Sequence, residues 1–153
     1  MIDYLIRRFH YNDWANARQL RVLPQVIAAQ PKALPIMTHI VMTQRLWLHR
    51  ITGHSEKPAL WDPLPVPELI RLSSDSTTDW IRYLGSLTDD EMDRLIAYHN
   101  FKGIPYQNSI RDISAHVISH SSHHRGQVNL LIRIAGLEPP LVDYIAFARH
   151  EFE

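Results

Sequence analysis

The chain has 153 residues, with 16 basic residues against 16 acidic ones, 45% apolar and 21% charged. Balanced charge leaves no basic field to attract nucleic acid or anionic lipid, and no run of 18 apolar residues crosses a bilayer. Absence of cysteine excludes disulfides, thiolate ligands and a cysteine nucleophile. The expectation is one cytoplasmic domain spanning 1–153, long enough to bury a core, with no signal-peptide segment and no nucleic-acid or membrane partner.

In chain order, the first helix runs from Ile2 to about Leu23, free of Gly and Pro, with Leu5, Phe9 and Leu20 near one face and Pro24 as its stop. The second covers about Leu34 to Ile51 and ends before Gly53. Pro58 to Pro65 is a proline-rich crossover, too long for a tight hairpin. A third helix starts near Pro67 and carries Leu69, Leu72, Trp80 and Tyr83 before Gly85. Leu95 to Tyr106 alternates weakly around Gly103 and reads either as a short β-ribbon or as an ordered loop. The fourth helix has Ser109 as N-cap with Asp112 three residues on, and runs to Gly136. Asp143 is placed to cap a last short helix from Tyr144. Four amphipathic helices of this length bury their stripes most simply as an all-α four-helix bundle, and the long crossover predicts that helices 2 and 3 lie parallel.

Four of the ten histidines fall within nine residues of the fourth helix: His116, His120, His123 and His124. Positions four apart stack on one helix face, so His116, His120 and His124 form a ladder, and any adjacent pair presents two imidazoles to one metal ion. At about 100° per residue, with His116 at zero, His120 and His124 fall near 40° and 80°. The aliphatic residues Ile113, Val117, Val128 and Leu131 span about 60° to 120°, which points His120 and His124 into the apolar stripe and leaves His116 and His123 on its flank. Inward histidines are often only hydrogen-bonded core groups, but two together in a core need satisfying, and a metal does so. Ser121 follows His120 where the zinc-protease motif has Glu, so that motif is absent.

The best candidate for a third protein ligand is His39, which shares a broad face of the second helix with Ile36, Ile40, Thr43, Leu46 and Trp47. His39 also reads as an ordinary core histidine when taken alone. His49 falls on the far side of that helix and reads as solvated, and His10, His54, His99 and His150 have no partner spacing. Asn12, Asn16, Gln44 and Gln127 are possible supports for ligands or substrate, or plain helix-packing polarity. Trp14 and Trp47 read as core. Gly126 in mid-helix costs about 1 kcal/mol relative to Ala, tolerable where another backbone approaches or where helices of one chain leave a gap.

Tyr11-Asn-Asp-Trp-Ala-Asn16, the His39…Trp47 helix and His120-Ser-Ser-His-His-Arg-Gly-Gln-Val128 resemble the DinB-like (damage-inducible B) family. Gly103-Ile-Pro-Tyr106 and Gly136-Leu-Glu-Pro-Pro140 followed by Asp143 are similar to it too. The resemblance spans nearly the whole chain. It implies an up-down-down-up bundle, commonly a homodimer, with three histidines on a divalent metal such as nickel or zinc. The matching positions are His39, His120 and His124.

The resemblance also implies possible kinship with thiol-dependent transferases and isomerases that use a low-molecular-weight thiol, so the first expectation is a metal-dependent transferase acting on a small molecule. A metal-dependent hydrolase is the second reading, although no carboxylate base is identifiable from spacing. A non-enzymatic metal-binding or stress-response module is the third. No catalytic residue is assigned. Because ligand imidazoles must be neutral, metal affinity is expected to fall as pH drops through about 6.5.

Overall fold

Why the chain folds into helices is visible in its buried positions, which recur every three or four residues along four long segments. The structure, a computed structural model, describes residues 1–54 and 58–150, the last without its side chain. The helices are α1 (Ile2–Val26), α2 (Ala33–Thr52), α3 (Val66–Gly85) and α4 (Ile110–Ile134), followed by the short α5 (Tyr144–His150). Helix α1 continues through Pro24, contrary to the expected stop. Leu23 and Val26 are both fully buried there, and a proline already holds a helical φ, so packing keeps the last turn helical.

The remaining boundaries follow local chemistry. Gly53 caps α2 in the left-handed conformation at φ 79°, where a residue without Cβ is unstrained. Pro67 sits in the first turn of α3. The Ser109 hydroxyl accepts from the Asp112 amide at 3.0 Å and caps α4. The segment read as ribbon or loop is a ribbon: β1 (Leu95–His99) pairs antiparallel with β2 (Pro105–Ser109), Ala97 opposite Gln107. Its turn is closed by Asn100 Oδ1, which accepts from the amides of Lys102 and Ile104, both at 2.9 Å. Asp143 starts α5 through its backbone carbonyl, which accepts from Ala146 and Phe147.

Two apolar clusters fix the helix directions. One joins Leu5 and Phe9 to Trp47, Ile51, Trp80, Leu84, Ile110 and Val117. The other joins Leu20 and Leu23 to Met37, Ile40, Leu69, Val128 and Ile132. Each cluster thus unites the start of α1 and α4 with the end of α2 and α3, or the reverse, which is an up-down-down-up bundle. Among the described residues no helix is long and apolar enough to cross a membrane.

A buried polar layer separates the clusters. Asn12 Nδ2 donates to Gln44 Oε1 (2.7 Å) and Ser121 Oγ (3.2 Å), and Gln44 Nε2 donates to Ser76 Oγ and Thr77 Oγ1, both at 3.2 Å. Arg125, 1% exposed, donates to Asn12 Oδ1, to Asn16 Oδ1 at 3.0 Å and to Ser122 Oγ at 3.0 Å. One network therefore ties all four helices at mid-height. Buried polar groups hydrogen-bonded to one another in this way set the register between helices, which apolar contacts alone specify loosely.

Candidate metal centre

Helix α2 contributes His39 and α4 contributes His120 and His124, brought together because α2 packs along α4. The three offer ring nitrogens that all lie within 4.8 Å of one another, a group able to hold a metal ion. His39 Nε2 and His120 Nε2 are 3.0 Å apart. Zinc–nitrogen bonds of about 2.0–2.1 Å in a tetrahedron place ligand nitrogens roughly 3.3 Å apart, so this pair already has near-ligand spacing. Neutral imidazoles directing lone pairs at each other repel unless a proton or a cation lies between them. The donor set and its spacing therefore fit a divalent ion.

Each ring is held differently. His124 Nδ1–H donates to Gln127 Oε1 at 2.7 Å, which leaves Nε2 as the lone-pair nitrogen. Thr43 Oγ1 lies 3.4 Å from His39 Nδ1. His120 Nδ1 is buried with no hydrogen-bond partner among the described residues. The indole of Trp61, from the crossover, stacks on His39 at 3.7 Å and 8° and stands edge-on to His124 at 5.9 Å. His39 is 8% exposed and Trp61 is 50% exposed, so the cluster lies directly beneath a half-open indole.

Burial keeps the rings of His39 and His120 neutral. The His39 pKa falls to about 4, mainly by burial and then by the neighbouring His124, with a backbone hydrogen bond to Leu60 opposing. That of His120 falls to about 3, again by burial first, then by His124, His39 and the other two α4 histidines. The expected loss of affinity through pH 6.5 is corrected for these two positions, because neither carries a proton there to be displaced.

The wheel reading also needs correction. His120 and His124 are half-buried and flank the core rather than facing it. The centre of the buried stripe is occupied by Val117, Ser121, Arg125, Val128 and Ile132, at about 140° on the same wheel. Aliphatic residues alone had placed it short of that, because buried Ser121 and Arg125 are polar. His116 and His123 are exposed, and the His116 ring is 5.6 Å from that of His120. His49 is half-buried rather than solvated, its ring 5.4 Å from that of His54. The His150 side chain lies outside the described residues.

Of the polar groups considered as supports, Gln127 touches a histidine of the cluster, whereas Asn12, Asn16 and Gln44 belong to the mid-height layer. Trp47 is core and Trp14 packs on Phe147, 5.7 Å between rings. Trp61 and Leu60 were not anticipated; the available signal was a large aromatic residue inside a proline-rich crossover. Gly126 is exposed, and a Cβ there would meet nothing within 4 Å, so no gap between helices of this chain explains it.

The fold and the site together define the protein as an up-down-down-up bundle with three histidines converging from its second and fourth helices. Residues 9–153 match the DinB family, and the chain belongs to that family. It is similar to Protein DinB of Bacillus subtilis strain 168, 21% identical over 162 residues that span 94% of this chain and 93% of that protein. The crystal structure of a DinB-like protein from Bacillus cereus ATCC 10987 has the same fold, with a TM-score of 0.70 and 22% identity. The match covers 91% of this chain and 95% of that one.

Proposed function

We propose that His39, His120 and His124 bind a divalent metal, nickel or zinc, in a metal-dependent enzyme that transfers a low-molecular-weight thiol to a small molecule. The convergence of three ring nitrogens within 4.8 Å beneath a half-exposed indole carries this reading. Among the described residues no carboxylate joins the three histidines, which leaves a place for an exogenous ligand, as in catalytic rather than structural sites. A divalent ion held there supplies a Lewis-acid position that lowers the pKa of a bound thiol or water.

The residues favour a thiol over water. Water ionises near 15.7 and a thiol near 8.5, so a thiol needs far less help from a base, and the group contains no carboxylate to act as one. The protein has no cysteine, so the thiol must come from solution. Gln127 orients His124, and Trp61 covers His39 and limits water on that side. Support for a homodimer comes from α4, where exposed Gly126, Leu130 (56%) and Ile134 (59%) follow one another four apart, an apolar strip suited to a second copy.

Metal analysis of the purified protein after loading with nickel or zinc, followed by thiol-transfer assays with several low-molecular-weight thiols, tests the proposal. Stoichiometric metal that is lost on His120→Ala, together with metal-dependent consumption of thiol and electrophile, is the expected result. Wild-type protein that retains neither metal after removal of excess would refute it.

A further inference from the structure

Next to the triad lies a pocket of about 280 Å³ lined by Trp47, Tyr98, Asn108, Asp112, Ile113 and His116. Its floor, Trp47 and Ile113, is buried, while Asp112 and His116 are exposed at its rim. Asp112, His116, His120 and His124 are four apart on α4, so pocket and triad occupy one continuous helix face. The His116 ring joins them: it stands 5.4 Å from Trp47 at 75° and 5.6 Å from His120.

The polar groups of the pocket are partly committed. The Tyr98 hydroxyl donates to Asn108 Oδ1 at 2.7 Å, leaving the Asn108 amide nitrogen to donate. Ser109 Oγ donates to Asp112 Oδ2 at 2.8 Å, leaving Oδ1 to accept. Among the described residues Asp112 is the one carboxylate lining the pocket. Arg50 is sheathed by aromatic rings, 4.5 Å from the Trp47 centroid and 5.0 Å from that of Tyr98, and donates to the His99 carbonyl at 3.3 Å, while Arg111, the chain neighbour of Asp112, pairs with Asp93 at 3.0 Å. An anionic rim above an aromatic floor selects a cationic, flat ligand group. The volume is at the lower limit of small-molecule sites, about 300 Å³, so the pocket suits one end of a molecule rather than the whole.

We propose that this pocket binds the amine-bearing end of a small, flat substrate, with Asp112 taking the ammonium group and Trp47, Tyr98 and Ile113 the apolar part, while the remainder extends past His116 to the triad. The extension to the triad rests on the metal reading above; the amine preference of the pocket does not.

The test uses the full chain with 2-phenylethylamine as probe and 2-phenylethanol and phenylacetate as matched controls, followed by saturation-transfer NMR and by the indole resonance of Trp47. The amine should bind about five-fold tighter than either control, as one partly exposed charge pair contributes. Asp112→Asn should abolish that preference, Asp112→Glu should restore it, and circular dichroism should confirm that both variants are folded. Equal binding of the three probes, binding of none, or a preference unchanged in Asp112→Asn would overturn the pocket assignment. Loading the wild type with paramagnetic Co²⁺ should broaden the bound probe. If Co²⁺ is retained without broadening, the link between pocket and triad is wrong. If Co²⁺ is not retained while the Asp112-dependent preference stands, the metal reading fails and the pocket survives.

Discussion

Replacing Arg125 separates the contribution of charge and hydrogen bonding at mid-bundle from that of volume. Its guanidinium is buried and donates to Asn12, Asn16 and Ser122, with no carboxylate among its hydrogen-bond partners, and it lies 5.1 Å from the Tyr11 ring centroid. Arg125→Met keeps most of the volume but leaves the Asn12 and Asn16 oxygens facing hydrocarbon. At about 1–3 kcal/mol for each orphaned acceptor, the cost should be about 2–5 kcal/mol. Arg125→Ala adds a cavity term and should cost more. For a domain of this size about 2–4 °C is lost per kcal/mol, so the Met variant should melt roughly 4–20 °C lower. Urea unfolding followed by circular dichroism gives the free energy, and calorimetry gives the shift. A Met variant as stable as wild type, or more so, would show that the network adds no stability and that the asparagines find other partners. Because His124 immediately precedes Arg125, a folded Met variant should also hold metal more weakly.

Other predictions concern the centre. His120→Ala should abolish metal retention, whereas exposed His123→Ala should leave it intact, measured by elemental analysis. Gln127→Ala frees His124 Nδ1 and should weaken metal binding about 10–100-fold in a competition titration, the range typical of groups that orient ligands. Chelation should lower the melting temperature of the holo protein while helical circular dichroism persists at 25 °C, since the two apolar clusters do not depend on metal. Below pH 6.5 the unfolded chain takes up protons that folded His39 and His120, near 4 and 3, refuse. Apo stability should therefore be full above about 6.5 and decline toward pH 4, and calorimetric metal titration at pH 6 should show little proton release from these two residues.

What could be read from the chain was what local spacing encodes. The four helices, the Ser109 cap and the Gly53 stop are each determined within a few residues, and His39, His120 and His124 share helix faces that a bundle brings together. Pro24 was misread because its local signal is a stop, and only the burial of Leu23 and Val26 against α2 and α3 overrides it. Trp61 was missed because its stacking on His39 depends on where a proline-rich crossover returns to the bundle, which no period records. The mid-height layer escaped for a related reason. Asn12, Gln44 and Ser121 are each unremarkable polar residues of their own helices, and only their mutual pairing across 32 to 109 positions makes them core.

The same layer accounts for where the centre lies. Ser121 and Arg125 point to the bundle axis, and their preceding neighbours His120 and His124 are turned about 100° away, toward α2. Had the histidines occupied the central stripe, they would be as enclosed as Arg125, and nothing from solution would reach them. One residue of offset moves them to the flank, where burial still depresses the pKa of His39 and His120 but, among the described residues, Trp61 is the only large side chain seen stacked over the cluster. Placing the hydrogen-bonded polar network on the axis and the histidines beside it allows the fold to be held by one set of side chains and a metal by another. A variant can then lose the metal without losing the bundle, and this separation is the physical basis for expecting the apo protein to remain folded.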